Sequence, residues 1–222
     1  MTARELPMFL DAGTHQTFAV VTEPESPAGT GVVLLAGAGI AAVGNARLWV
    51  GLSRELGARG HWVVRLDHRG AGESTGEVGD LDLTEPFTAD ALAAAGWLAG
   101  RTPDGIALVG ECFGARTALD CVGALGRPRG MVLLFPPVAM GARDEAGRRD
   151  LRDKLDRAIS AGVPLAAVYG ADDVDRPEFE ELVKGRVPVA VEPGKLHGIA
   201  SIEARDGVRR HIMSALHRFG LG

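Results

Sequence analysis

The sequence predicts an α/β fold: a mostly parallel, doubly wound sheet of about eight strands, with helices on both faces and little or no lid. Three observations predict it. From residue 31 onward, short β-branched or leucine-rich runs alternate with helical stretches. These runs are continuously apolar, as strands covered on both faces are. The 222 residues also suffice for one substantial core, so residues 1–222 are expected to form a single domain.

Met8 to Thr22 alternates weakly and reads as a pair of short strands, followed by the turn cluster "EPESPAG". The run "GVVLLAG", a helix over Arg47 to Arg59 and the run "HWVVRLD" then make a βαβ unit. A helix near Glu85 to Ala99, the strand "GIALVG", a helix from Gly114 to Leu125 and the strand "GMVLLF" continue the alternation. A charged helix spans Asp144 to Ser160. The closing units are "VPLAAVYG" with a helix near Glu178 to Lys184, and "VPVAVEPG" with a helix from about Ala200 to Phe219. Val138 to Gly162 is the one stretch able to form a lid, and it is short. Right-handed crossovers place helices on either side of such a sheet, and ligands bind at the carboxyl ends of its strands. The informative segments are therefore "AGAGI", "DHRGAGES", "ECFGA", "PPV", "ADDVD" and "KLHG".

Composition narrows the function classes. A formal charge of −5 and the lack of a basic patch argue against nucleic acid as a partner. No stretch approaches the roughly 18 apolar residues of a membrane span, and "MTARELPMFLDAGTHQ" does not have the form of a signal peptide. The expectation is a cytoplasmic protein with no membrane partner. Two cysteines, Cys112 and Cys121, are too few for a disulfide framework or a cysteine metal site, and the histidines show no ligand spacing. No metal and no organic cofactor are expected.

In "VGECFGA", Gly110 and Gly114 flank Cys112 at minus two and plus two. A sharp strand-to-helix turn requires small residues there, and it lifts the central side chain above the sheet edge. At the amino end of a helix the thiol feels the positive end of the dipole, and a nearby imidazole would lower its pKa further. Cys121, in an apolar stretch of the following helix, reads as core. Glu111 is either an electrostatic tuner of the thiol or a buried, paired carboxylate.

The elbow resembles that of the α/β-hydrolase superfamily, in the cysteine-nucleophile (GxCxG) variant similar to dienelactone-hydrolase-like enzymes. The resemblance covers the chain from about Gly31 to its end and implies the order nucleophile, acid, histidine. His197, in the glycine-flanked loop "KLHGIA", is then the base. The acid, three residues after the glycine that ends its strand, is Asp173, with Asp172 and Asp175 as reserves. The oxyanion donors implied are the backbone N–H groups of Phe113 and of Ala38 in "LLAGAGI", where Ala36 replaces a histidine common in the family. In "DHRGAGES", Asp67, Arg69 and Ser74 correspond to loop-ordering residues. The activity implied is cleavage of an ester, lactone or thioester in a small-molecule or carrier-bound acyl substrate, through an acyl-cysteine.

Two other classes compete. An acyltransferase or cyclase, or a non-hydrolytic binding protein, uses the same fold. "GAGIAA" from Gly37 also fits a dinucleotide-binding GxGxxA, but Asp67 lies 28 residues beyond Gly39, where about 20 is expected.

Overall fold

The computed structural model describes residues 3–78, 82–141 and 144–222. Two eight-residue strands open the chain, β1 (Arg4–Asp11) and β2 (Gln16–Glu23), paired antiparallel from Arg4↔Glu23 to Asp11↔Gln16. The predicted pair is thus present and starts earlier, at Arg4. Then come β3 (Gly31–Leu35), β4 (Trp62–Leu66), β5 (Ile106–Glu111), β6 (Gly130–Leu134), β7 (Leu165–Gly170) and β8 (Val189–Glu192). The eight strands form one sheet in the order β1-β2-β4-β3-β5-β6-β7-β8. Pairing is parallel from β4 to β8, and β2 runs antiparallel to β4.

The apolar runs explain the layering. Every residue of β3, β6 and β7 is buried, which requires cover on both faces. Helices α1 (Leu48–Ala58) and α7 (Ile202–Arg218) pack together on one face. On the other, α3 (Phe113–Asp120) lies against β5 and touches α2 (Thr88–Ala99) and α5 (Glu145–Ser160). Two short helices, α4 (Val122–Leu125) and α6 (Arg176–Val183), complete the set.

Helix starts follow local chemistry. The Asp144 carboxylate accepts the Gly147 amide at 2.8 Å and caps α5, and Ser201 Oγ accepts the Ala204 amide at 3.1 Å and caps α7. Pro177 occupies the first turn of α6, where its missing N–H costs nothing. The helix expected over Gly114 to Leu125 is divided. At Cys121 the amide bonds Ala118 O (3.2 Å) as well as Thr117 O (3.3 Å), and that tightening separates α3 from α4. Most of the lid candidate, Val138 to Gly162, is α5; Ala142 and Arg143 within it lie outside the described residues.

Candidate active site

Strand β5 delivers Cys112 to the carboxyl edge of the sheet, between β3 and β6. Its backbone sits at φ 53°, ψ −115°, and α3 begins with the next residue, one earlier than expected. The Cys112 amide donates to Leu134 O at 2.8 Å, pinning the turn to β6. A side chain on Gly110 would run into the backbone of Gly114 and Ala115, and one on Gly114 into the carbonyls of Leu35 and Ala36. Both glycines of the motif are thus sterically required.

His197, in the loop between β8 and α7, brings Nε2 to 3.4 Å from Cys112 Sγ. Asp173, after β7, is 5% exposed. Its Oδ2 accepts the Gly170 amide at 2.6 Å, and its Oδ1 accepts the amides of Leu196 (3.1 Å) and His197 (3.3 Å). Its hydrogen bonds among the described residues thus reach the histidine loop through backbone N–H groups, and none goes to the imidazole. Asp172 is exposed and plays no part in this contact.

Ala38 and Phe113 border the same cavity, of about 360 Å³. Its walls are largely apolar, from Ile40, Leu83, Phe135, Pro137 and Met140, and its polar groups are Cys112, His197, Glu111 and Asp175. A larger groove of about 530 Å³ opens beside α2 and α4, and its lining contains no cysteine, histidine or carboxylate. Among the described residues, no three His, Cys, Asp or Glu side chains group so as to hold a metal ion, and no helix is long and apolar enough to cross a membrane.

The electrostatics depart from the expectation of an acidified thiol. Burial pushes the Cys112 thiol up to about 11; the Phe113 amide opposes this, while the Glu111 and Asp175 carboxylates add to it. Desolvation is the largest of these effects, because withdrawing a thiol from water penalises its charged form. Glu111 is 1% exposed, and burial raises it to about 7 against the Asn45 amide, which donates to Oε1 at 2.7 Å. Its Oε2 has no partner among the described residues. Both readings of Glu111 find support: the carboxylate is buried, with the neutral Asn45 amide as its hydrogen-bond partner, and its charge raises the Cys112 thiol. Cys121 is buried and pushed up to about 12 by burial, as a core thiol is.

The loop after β4 is ordered as anticipated. Asp67 accepts the amides of Ala42 (2.5 Å) and Glu73 (3.1 Å), and Ser74 Oγ donates to Asp67 O at 2.7 Å. Arg69 contributes its backbone, whose N–H meets Asp90 Oδ2 at 3.4 Å.

One residue escaped the sequence reading, and another has contacts that it did not foresee. Arg116 on α3 is fully buried and donates to the carbonyls of Pro137 (3.2 Å), Leu83 (3.3 Å) and Gly147 (3.0 Å) and to Asp150 (2.7 Å). It therefore ties two cavity walls to α5. Asp175, known from the sequence only as a reserve acid, faces the cavity. Burial raises its carboxyl; the Val138 amide, donating at 3.1 Å, and the nearby His197 pull it down. Only the lone arginine in "GARTAL" hinted at the first.

Comparison with known proteins agrees with this architecture. The model of the family described as serine aminopeptidase, S33, matches residues 32–175. An α/β serine hydrolase without a lid, from Xanthomonas campestris, superposes with a TM-score of 0.71 at 18% identity, over 97% of this chain and 95% of that one. An esterase from Pyrococcus furiosus gives 0.73 at 16% identity (97% and 93%), and a proline iminopeptidase from Mycobacterium smegmatis 0.69 at 16% (97% and 99%). The fold is that of the lidless α/β hydrolases. A search of curated proteins finds no match.

Proposed function

The chain belongs to the serine aminopeptidase S33 family, and on that premise we propose that it is a hydrolase in which Cys112 replaces serine as the nucleophile. It cleaves an ester, lactone or thioester through an acyl-cysteine, with His197 as base and Asp173 as the acid that fixes the histidine. The observation that carries this reading is Cys112 Sγ at 3.4 Å from His197 Nε2, on a left-handed turn that opens into an apolar cavity.

With the thiol near 11, forming free thiolate at pH 7 costs about 5 kcal/mol, so proton transfer to His197 accompanies attack. As Sγ bonds to the carbonyl carbon, His197 Nε2 takes the thiol proton and the π pair moves onto oxygen. The Phe113 and Ala38 N–H groups receive that oxyanion, each worth about 3 kcal/mol in comparable sites. Collapse expels the leaving group, which takes the proton from His197. Water then attacks the acyl-thioester with His197 again as base, releasing the acid and restoring the thiol. The exposure of His197 gives water access to the acyl-thioester.

The cavity suits the acyl part of a small-molecule or carrier-bound substrate. We take residues 1–222 to act as one domain in the cytoplasm, without nucleic acid or membrane as partners. Short and medium-chain p-nitrophenyl esters, acyl-CoA thioesters and dienelactones, assayed side by side, identify the substrate class. Cys112→Ala should keep its fold and lose turnover by several orders of magnitude, while Cys121→Ala keeps it. Turnover at the parent rate by Cys112→Ala would overturn the proposal.

A further inference from the structure

We propose that His68 is a positioning residue for the oxyanion hole, holding the Ala38 loop and the Phe113 turn in register with each other. The inference rests on the catalytic reading given above and adds to it a residue outside the triad. His68 follows β4 and is fully buried. Its Nε2 lies 2.9 Å from Ala36 O, two residues before Ala38. A carbonyl only accepts, so Nε2 carries the proton and donates. Nδ1, left as an acceptor, has no partner among the described residues, so the ring's one hydrogen bond goes to the oxyanion loop.

The ring also reaches the second donor. It stacks on Phe87, with centroids 4.6 Å apart and planes 18° from parallel, and Phe87 in turn packs on Phe113 at 5.3 Å. Leu83, Phe87 and Phe113 form a small cluster of their own, against which Ala38 and Cys112 pack. The Ala36 carbonyl that His68 holds is one of the two, with that of Leu35, that leave no room for a side chain on Gly114, so the loop and the first turn of α3 abut there. One side chain therefore fixes the start of one donor loop by a hydrogen bond and the other donor through Phe87, on which it stacks and against which Phe113 packs at a tilt. Oxyanion donors act only when held before the charge develops, so slack of a few tenths of an ångström is felt in the transition state and little in the ground state.

The test separates this role from a merely structural one. Alkylation of Cys112 by iodoacetamide needs the thiol and His197 but forms no oxyanion. His68→Phe keeps the ring and loses the donor: kcat on p-nitrophenyl butyrate should fall about 10- to 50-fold, with KM within about 3-fold and the alkylation rate within about 2-fold. His68→Gln, whose amide can take the place of Nε2, should recover most of that loss. If His68→Phe does not fold, His68→Met supplies the donor-free variant, and the same comparison with His68→Gln decides. A donor-free variant at the parent rate, a parallel fall in alkylation, or a folded His68→Gln as slow as the donor-free variant would each overturn the assignment. If Cys112→Ala stays active, the catalytic reading falls and His68 with it; if Cys112→Ala is dead but His68→Phe is fully active, the His68 role alone falls.

Discussion

Asp173 Oδ1 accepts the backbone amide of His197 at 3.3 Å, so this carboxylate grips the histidine by its main chain. The same oxygen takes the Leu196 amide, and the other oxygen takes that of Gly170. Asp173→Asn replaces one acceptor oxygen by an NH2 group facing amide donors, which displaces the loop and the imidazole with it. We expect kcat to fall by about 10³-fold, whereas Asp175→Asn, whose carboxylate meets a single amide, loses less than about 10-fold. Steady-state kinetics on both variants check the ranking, and a larger loss in Asp175→Asn would transfer the role of acid to that residue.

Glu111 should make stability fall with pH. Its carboxyl titrates near 7 in the folded chain against about 4.5 when unfolded, so the folded state binds the proton more tightly. The stabilisation is complete below 4.5 and is lost as pH rises through 7, by roughly 3 kcal/mol in all. Glu111→Gln mimics the protonated acid. It should melt above the parent at pH 8.5 and with it at pH 4. Removing the charge also lowers the Cys112 thiol, so iodoacetamide should label that variant a few-fold faster at pH 8.5. Calorimetry and labelling followed by mass spectrometry give the two readouts.

Arg116 carries much of the cavity's shape. Arg116→Met leaves three buried carbonyls without their donor and should cost about 3–5 kcal/mol in urea unfolding. Asp150 keeps Lys154 at 3.0 Å, which limits the loss. Because Leu83 and Pro137 line the site, KM should rise more than kcat falls. An unchanged KM in the folded variant would show that α5 alone holds these walls.

The parts of this site legible in the sequence were those set by local sterics. Gly110 and Gly114 announced the elbow because only glycine fits there. Asp173 was singled out by the family resemblance alone, and the structure adds that its carboxylate turns back to accept the Gly170 amide at the strand end. Arg116 was not legible, and the contacts of Asp175 and His68 were not either, since their hydrogen-bond partners lie 21 to 37 residues away in the chain. The sign of the Cys112 shift failed for a related reason: the dipole is local and readable, but the burial that raises the thiol is tertiary. Likewise the break at Cys121 reflects how α3 tightens at its end, not a proline or glycine at that position.

The four-residue β8 sits at the margin of the sheet, partly exposed along its length, and His197 is carried on the segment that leaves it. The sulfur, by contrast, hangs from a strand bounded on both sides by fully sheltered neighbours. Fraying of that outer strand would thus disarm the molecule while its centre stayed intact. Inactivation in urea should precede the main unfolding transition, with amide exchange at Val189–Glu192 faster than at Ile106–Glu111.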